Sequence, residues 1–262
     1  DGAHSAFELA DSLNNVQVVG NVVSRVGTGF WVGGSDDNKA RGVLIADNTF
    51  HGHGCVVGDG TNRFSGSGVI RANFFINWCQ NNVGTIYVPT DGLGVDITGN
   101  TFNGGGRVMR FSAANGVSWF RNNWVLDAEP QGNGLIYVAD TTNPNLIIDG
   151  NTFQGTSSRV VFSLLPITFR NNYAEGVVWG GGGSVIDGNT IVADDWTAVY
   201  AYPNTTVTNN RILASGAGVT LEGANSLIER NYITTLNNTA ASLPNCGTQN
   251  TCVGNWTSGQ LP

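Results

Sequence analysis

Lysine is almost absent from this chain: Lys39 is its one lysine, and charged residues make up only 12% of its 262 residues. Helical proteins of this size place many Lys, Glu and Ala residues on their solvent-facing positions, so this scarcity argues against a helical fold. The net charge of −7 argues against a nucleic-acid partner, which needs a basic stripe, and against binding an anionic membrane. No run of 18 apolar residues occurs, so the sequence predicts no membrane partner.

Cysteine is also scarce, with four residues in two pairs. Cys246 and Cys252 flank a short loop near the C-terminus and are predicted to form a disulfide. Cys55 and Cys79 lie one repeat apart, so they either bridge adjacent turns or remain buried free thiols. Disulfides form in oxidising compartments, which predicts an extracellular or surface-associated protein.

Asparagine recurs in one short phrase: an apolar residue, two spacers, Asn, one spacer, and an aromatic or aliphatic residue. The phrase returns every 18 to 29 residues, and a near-constant period of this length is typical of a solenoid. The predicted ladder positions are Asn21, Asn48, Asn73, Asn100, Asn122, Asn151, Asn171, Asn189, Asn210 and Asn231, with a further match at Asn255.

Each repeat contains three short apolar segments with alternating character, separated by turn residues. Such segments are strands, because no stripe with a helical period appears. We therefore predict an all-β chain that forms a single right-handed parallel β-helix over residues 1–262. It should have about eleven to twelve coils of three short strands, with right-handed crossovers as the rule for parallel strands. The tail at 240–262 is predicted to be a disulfide-stapled loop.

The recurring asparagine has a physical explanation. A tight bend between strands needs a residue that tolerates the left-handed region, and the side-chain amides of successive coils can bond in a buried ladder. The aromatic residues two positions later are predicted to stack in the interior. They are Phe50, Phe75, Phe102, Trp124, Phe153 and Tyr173.

The phrases Gly-Asn-Thr-Phe at 99–102 and Arg-Asn-Asn-Trp at 121–124 resemble the asparagine ladder of the right-handed parallel β-helix superfamily. That superfamily includes pectate lyases, polygalacturonases and phage tailspikes. The resemblance covers nearly the whole chain and is specific for the fold, but one solenoid carries many chemistries. It implies that ligands lie along the strand that begins shortly after the ladder bend.

The middle residues of those strands are predicted to face outward, because side chains alternate along a strand. The predicted outward column is Glu8, Trp31, Val56, Tyr87, Arg110, Tyr137, Trp179, Tyr200 and Thr220, with the register of the coil at 160–162 ambiguous. Five amphipathic aromatics in it suit the apolar faces of sugar rings, which predicts polysaccharide binding. The predicted binding residues are Trp31, Tyr87, Tyr137, Trp179 and Tyr200. Alternatively, loops or another subunit cover this column.

Three residues near the column are candidates for catalysis. A glycosidase needs two carboxylates, for which Asp91 and Asp140 are one pair. A β-eliminating lyase needs a base, for which Arg110 is the candidate, and Ca²⁺ held by acidic residues would then be its cofactor. Alternatively, each acidic residue simply caps a turn.

Two functions from different classes follow. The first is an extracellular protein that binds and possibly cleaves a linear polysaccharide along the aromatic face, as a lyase or a hydrolase. The second is a structural solenoid, without catalysis, that forms a fibre, trimeric spike or surface filament. It would do so as a homo-oligomer or by end-to-end stacking, because an uncapped solenoid end exposes a strand edge.

Overall fold

The computed structural model describes residues 5–10, 12–24, 26, 28–33, 39–52, 62–78, 84–112, 116–130, 132–138, 145–156, 159–194, 197–235 and 246–257. These residues contain 32 strands, numbered β1 to β32 in chain order, and no helix. The strands form three parallel sheets, and successive strands join different sheets, so the chain winds as a solenoid. No helix with the length and hydropathy of a membrane span occurs in this described part of the chain.

The first sheet has 10 strands, and its members are every third strand of the chain. They are β1 (Ser5–Leu9), β4 (Thr28–Val32), β7 (Asn62–Phe64), β10 (Ile86–Val88), β13 (Met109–Phe111), β16 (Ile136–Val138), β19 (Arg159–Ser163), β22 (Val177–Gly180), β25 (Thr197–Ala201) and β28 (Ala217–Leu221).

The second sheet has 11 strands and precedes the asparagine bend of each coil. Its strands are β2 (Gln17–Val19), β5 (Val43–Ala46), β8 (Gly68–Arg71), β11 (Val95–Thr98), β14 (Ser118–Arg121), β17 (Leu146–Asp149), β20 (Thr168–Arg170), β23 (Val185–Asp187), β26 (Thr206–Thr208), β29 (Leu227–Glu229) and β31 (Thr251–Val253).

The third sheet also has 11 strands and follows the bend. Its strands are β3 (Val22–Ser24), β6 (Thr49–His51), β9 (Phe74–Ile76), β12 (Thr101–Asn103), β15 (Trp124–Leu126), β18 (Thr152–Gln154), β21 (Tyr173–Glu175), β24 (Thr190–Ala193), β27 (Arg211–Ala214), β30 (Tyr232–Thr235) and β32 (Trp256–Thr257). The described strands make ten complete coils and an incomplete eleventh, slightly fewer than predicted.

A ladder of asparagine side chains runs through the bend between the second and third sheets. Each Nδ2 donates to the Oδ1 of the asparagine one coil further on, at 2.9 to 3.1 Å. The residues joined in this way are Asn21, Asn48, Asn73, Asn100, Asn123, Asn151, Asn172, Asn189, Asn210, Asn231 and Asn255. The continuous ladder satisfies amides that would otherwise be buried without partners.

At two coils the predicted ladder residue is wrong by one position. Asn122 and Asn171 are exposed and have φ angles of +52° and +55°, so they form the left-handed bend. The ladder instead uses the next residues, Asn123 and Asn172. The bend residue directly precedes the ladder residue, so the observed register places an asparagine at both positions. The predicted register would have put Arg121 and Arg170 in the left-handed bend, which asparagine tolerates better.

The interior is filled by aromatic and aliphatic side chains, which point inward from alternate positions of each strand. Phe75 is the centre of a parallel stack, with its ring centroid 4.9 Å from that of Phe50 and 4.8 Å from that of Phe102. The prediction was wrong for Trp124 and Tyr173, which face outward because the ladder is shifted by one residue. A shift of one residue moves a strand side chain to the opposite face.

The C-terminal tail adds to the solenoid. Cys246 and Cys252 form a disulfide with their Cα atoms 6.1 Å apart. The tail was predicted to be a loop, but β31 pairs with β29 and β32 pairs with β30. Cys55 and Cys79 lie outside the described residues.

Candidate functional site

One outward-facing line of side chains crosses all ten strands of the first sheet. The strand register places these residues directly beside one another: Glu8, Trp31, Arg63, Tyr87, Arg110, Tyr137, Phe162, Trp179, Tyr200 and Thr220. We call the eight residues from Trp31 to Tyr200 the arginine–aromatic column. All five predicted binding residues therefore lie on one line.

The third coil differs from the prediction. Its strand is β7, so Arg63 occupies the position predicted for Val56, which itself lies outside the described residues. The sequence pattern favoured the more apolar segment at 55–57. However, one of the two inward positions of β7 is taken by Asn62, which accepts from the backbone N–H of Phe30 at 2.9 Å and donates to the carbonyl of Thr85 at 2.8 Å. A buried polar residue in a strand gives no apolar signal in the sequence.

The C-terminal half of the column is a continuous series of ring contacts. Phe162 lies in the coil of ambiguous register, with its centroid 5.9 Å from that of Tyr137 and 5.1 Å from that of Trp179. Trp179 in turn stacks on Tyr200 at 4.5 Å. These side chains are half-buried, and their mutual packing fixes the orientation of the rings.

Guanidinium groups lie over the rings in the middle of the column. The Arg110 guanidinium is 5.4 Å from the ring centroid of Tyr87 and 6.0 Å from that of Tyr137. Arg159 lies 4.7 Å from the ring centroid of Trp179. These distances are within the range of cation–π attraction, so the rings hold the cations at the face of the sheet.

Arg107 is the most deeply buried of these arginines, with 3% of its surface exposed. Its guanidinium lies 4.8 Å from the ring centroid of Tyr137, and its Nε donates to the carbonyl of Gly134 at 3.2 Å. Burial lowers the pKa of Arg107, the charge of Arg110 lowers it further, and interaction with Tyr137 partly opposes this shift. The guanidinium is nevertheless positively charged at neutral pH, because arginine is not deprotonated in proteins. Arg107 therefore packs on the ring of Tyr137 and adds a positive charge next to it.

Asp91, a predicted catalytic residue, lies in an ion-pair cluster at the edge of the column. Its carboxylate is 3.3 Å from Lys39 Nζ and 3.6 Å from a terminal nitrogen of Arg63, and Lys39 also donates to the Asp91 carbonyl. Asp91 therefore joins two cations from different coils, which is the geometry of a structural ion-pair partner. Asp140 lies outside the described residues, so the two carboxylates of the predicted pair cannot be compared.

Arginine residues are concentrated at this face although the protein is acidic. Arg63, Arg107, Arg110 and Arg159 are four of its eleven arginines, and all four contribute to this face. Among the described residues, no group of three or more His, Cys, Asp or Glu side chains is arranged to hold a metal ion.

Comparison with known proteins identifies the fold. The chain is similar in structure to the A-module of the mannuronan C-5 epimerase AlgE6 from Azotobacter vinelandii, with a TM-score of 0.56 and 18% identity. The match covers 97% of this chain and 74% of that chain. The chain is a right-handed parallel β-helix. No protein-family model and no curated protein sequence matches the β-helix.

Proposed function

We propose that this β-helix binds a linear acidic polysaccharide along the arginine–aromatic column. The observation that carries the proposal is the alternation of Arg63, Tyr87, Arg110 and Tyr137 on one straight line of neighbouring strands. Aromatic faces pack against the apolar faces of sugar rings, and guanidinium groups bind carboxylates with two parallel hydrogen bonds.

The dimensions of the solenoid suit such a polymer. Strands in a sheet are about 4.8 Å apart, so Arg63 and Arg110, two coils apart, are separated by about 10 Å. An extended polysaccharide advances by a similar length for every two sugars. A carboxylate on alternate sugars would therefore meet a guanidinium on alternate coils. The similarity to an enzyme named for its action on mannuronan, an acidic polysaccharide, also supports this ligand class.

Binding to an acidic polysaccharide is the test. We would measure the affinity of the protein for polygalacturonate and polymannuronate at low salt, for the unmodified chain and for Arg110→Ala. Loss of a charge-assisted contact should weaken binding about tenfold to a hundredfold. The matched control is Arg211→Ala, which removes the same charge from an exposed position on the third sheet. The proposal would be contradicted if both variants lost affinity equally, or if the unmodified protein did not bind either polysaccharide.

The same samples test for chemistry on the bound chain. Unsaturated products that disappear in Arg110→Ala would support a lyase. New reducing ends without unsaturation would support a hydrolase and direct attention to Asp91 and Asp140, and a change in the configuration of mannuronan would support epimerisation. An unchanged polymer that still binds would support a binding protein without catalysis.

The disulfide and the proposed ligand both favour an extracellular or surface location. The structural alternative, end-to-end stacking or a trimeric spike, predicts assembly without polysaccharide. Sedimentation of the unmodified protein over a range of concentrations distinguishes the two functions.

A further inference from the structure

The third sheet carries a second outward-facing line of side chains, in which threonine and aromatic residues alternate. The register pairs each member with the next over Thr49, Phe74, Thr101, Trp124, Thr152, Tyr173 and Thr190. We call these seven residues the threonine–aromatic stripe; the same line continues to Val22 at one end and to Arg211, Tyr232 and Trp256 at the other, where the alternation ends. It lies on a different sheet from the arginine–aromatic column and is independent of the function proposed for that column.

The aromatic members of the stripe are exposed or half-exposed to solvent. Phe74 is 37% exposed and Trp124 is 57% exposed, although both belong to strands whose central residues are buried. The ring of Tyr173 is held in place because its hydroxyl donates to Glu175 at 2.8 Å, and Glu175 also accepts from the backbone N–H of Gly155 at 2.6 Å. Phe74 and Trp124 are therefore exposed rings, and Tyr173 is a half-exposed ring whose hydroxyl is fixed by a hydrogen bond.

The spacing of these rings is regular. Phe74, Trp124 and Tyr173 lie on alternate coils, so neighbouring rings are about 10 Å apart and the three span about 20 Å. The repeat of an extended β-1,4-linked polysaccharide, two sugars with opposite orientations, has a similar length. Every second sugar could then pack its apolar face on a ring, while Thr101 and Thr152 offer hydroxyl groups between the rings.

Charge distinguishes this surface from the first sheet. Between β3 and β24, the outward positions of the third sheet include one carboxylate, Glu175, and no Lys or Arg. Glu175 is already engaged with Tyr173 and Gly155. An acidic polymer would have to desolvate its carboxylates at these positions without gaining an ion pair. A neutral polymer has no charged groups to desolvate on binding.

We propose that the threonine–aromatic stripe is a second glycan-binding surface, which takes a neutral, extended β-1,4-linked polysaccharide. A second copy of this chain is the alternative occupant. A protein interface has a contiguous apolar centre, whereas here each ring is separated from the next by a threonine. The alternation fits a ligand that itself alternates apolar faces and hydroxyl groups.

The test uses cellulose and cellohexaose as extended neutral ligands and amylose as a neutral polymer of helical shape. We expect the unmodified protein to be retained on cellulose and to bind cellohexaose but not amylose. Trp124→Ala should weaken binding about tenfold, the effect of losing one aromatic contact. Thr152→Lys, which keeps every ring but places a long charged side chain between Trp124 and Tyr173, should weaken it as well.

The matched control is Trp119→Ala, which removes a partly exposed tryptophan from the second sheet and should leave binding unchanged. Excess polygalacturonate should not compete with cellulose, because the two polymers bind different sheets. The proposal is overturned if the unmodified protein binds neither cellulose nor cellohexaose, or if Trp119→Ala weakens binding as much as Trp124→Ala. A concentration-dependent dimer that Trp124→Ala abolishes, without glycan binding, would instead assign the stripe to a second copy.

Discussion

Replacing Asn123 with alanine should lower the free energy of unfolding by about 4 kcal/mol. Its side chain is completely buried and takes part in four hydrogen bonds. Nδ2 donates to the carbonyl of Ile97 at 2.9 Å and to Oδ1 of Asn151 at 3.1 Å. Oδ1 accepts from the backbone N–H and the side-chain amide of Asn100, at 2.9 and 3.0 Å. At about 1 kcal/mol for each bond, the sum is about 4 kcal/mol.

The matched control is the preceding residue. Asn122→Gly keeps the left-handed bend, because glycine adopts positive φ without steric cost, and the side chain it removes is exposed. We expect this variant to change the free energy of unfolding by less than about 1 kcal/mol. The assay is urea denaturation followed by circular dichroism, with thermal melts in parallel, where Asn123→Ala should melt about 10 °C lower. Equal losses in the two variants, or a larger loss in Asn122→Gly, would refute this assignment of the ladder.

Three further predictions follow from the core, the tail and the third sheet. Phe102→Ala removes a 2% exposed ring from the interior stack and should cost about 3 to 5 kcal/mol in the same denaturation assay; a loss below about 1 kcal/mol would contradict the packing. Replacing both Cys246 and Cys252 with serine should cost about 2 kcal/mol because the closed loop is short, and unchanged stability would show that the disulfide does not constrain the unfolded chain. The pKa of Tyr173 is raised, first by its hydrogen bond to Glu175 and then by burial and the charge of Glu175. The folded state therefore favours the neutral phenol, so its contribution is complete below about pH 10, the unfolded pKa, and is lost as the pH rises through the folded pKa. Unfolding measured from pH 8 to 11 should show a smaller alkaline loss of stability in Tyr173→Phe, and an identical pH profile would contradict this account.

The candidate site was only partly predictable from the sequence. The line from Tyr87 through Arg110 to Tyr137 follows from the alternation of side chains, because each of these residues lies between two apolar ones. Arg63 was missed because its strand contains a buried asparagine in place of an aliphatic residue. The packing of Arg107 on Tyr137 has no local signal in the sequence, since the contact joins different coils.

The exposed rings of the third sheet were also missed, for a different reason. Trp124 follows two consecutive asparagines, and either one could enter the ladder. If Asn122 had done so, the tryptophan would point into the core. The structure places Asn123 there, which leaves Val125 buried and Trp124 outside.

The sequence by itself determined the solenoid. Its asparagine period, its short alternating segments and its lack of helical patterning all agree with three strands for each coil. The tertiary structure decided which asparagine bonds across coils, which residue of each strand faces outward, and which cations lie over which rings. Those outcomes depend on hydrogen bonds and ring contacts between residues about 20 to 30 positions apart, and a shift of one residue reverses the face of a strand.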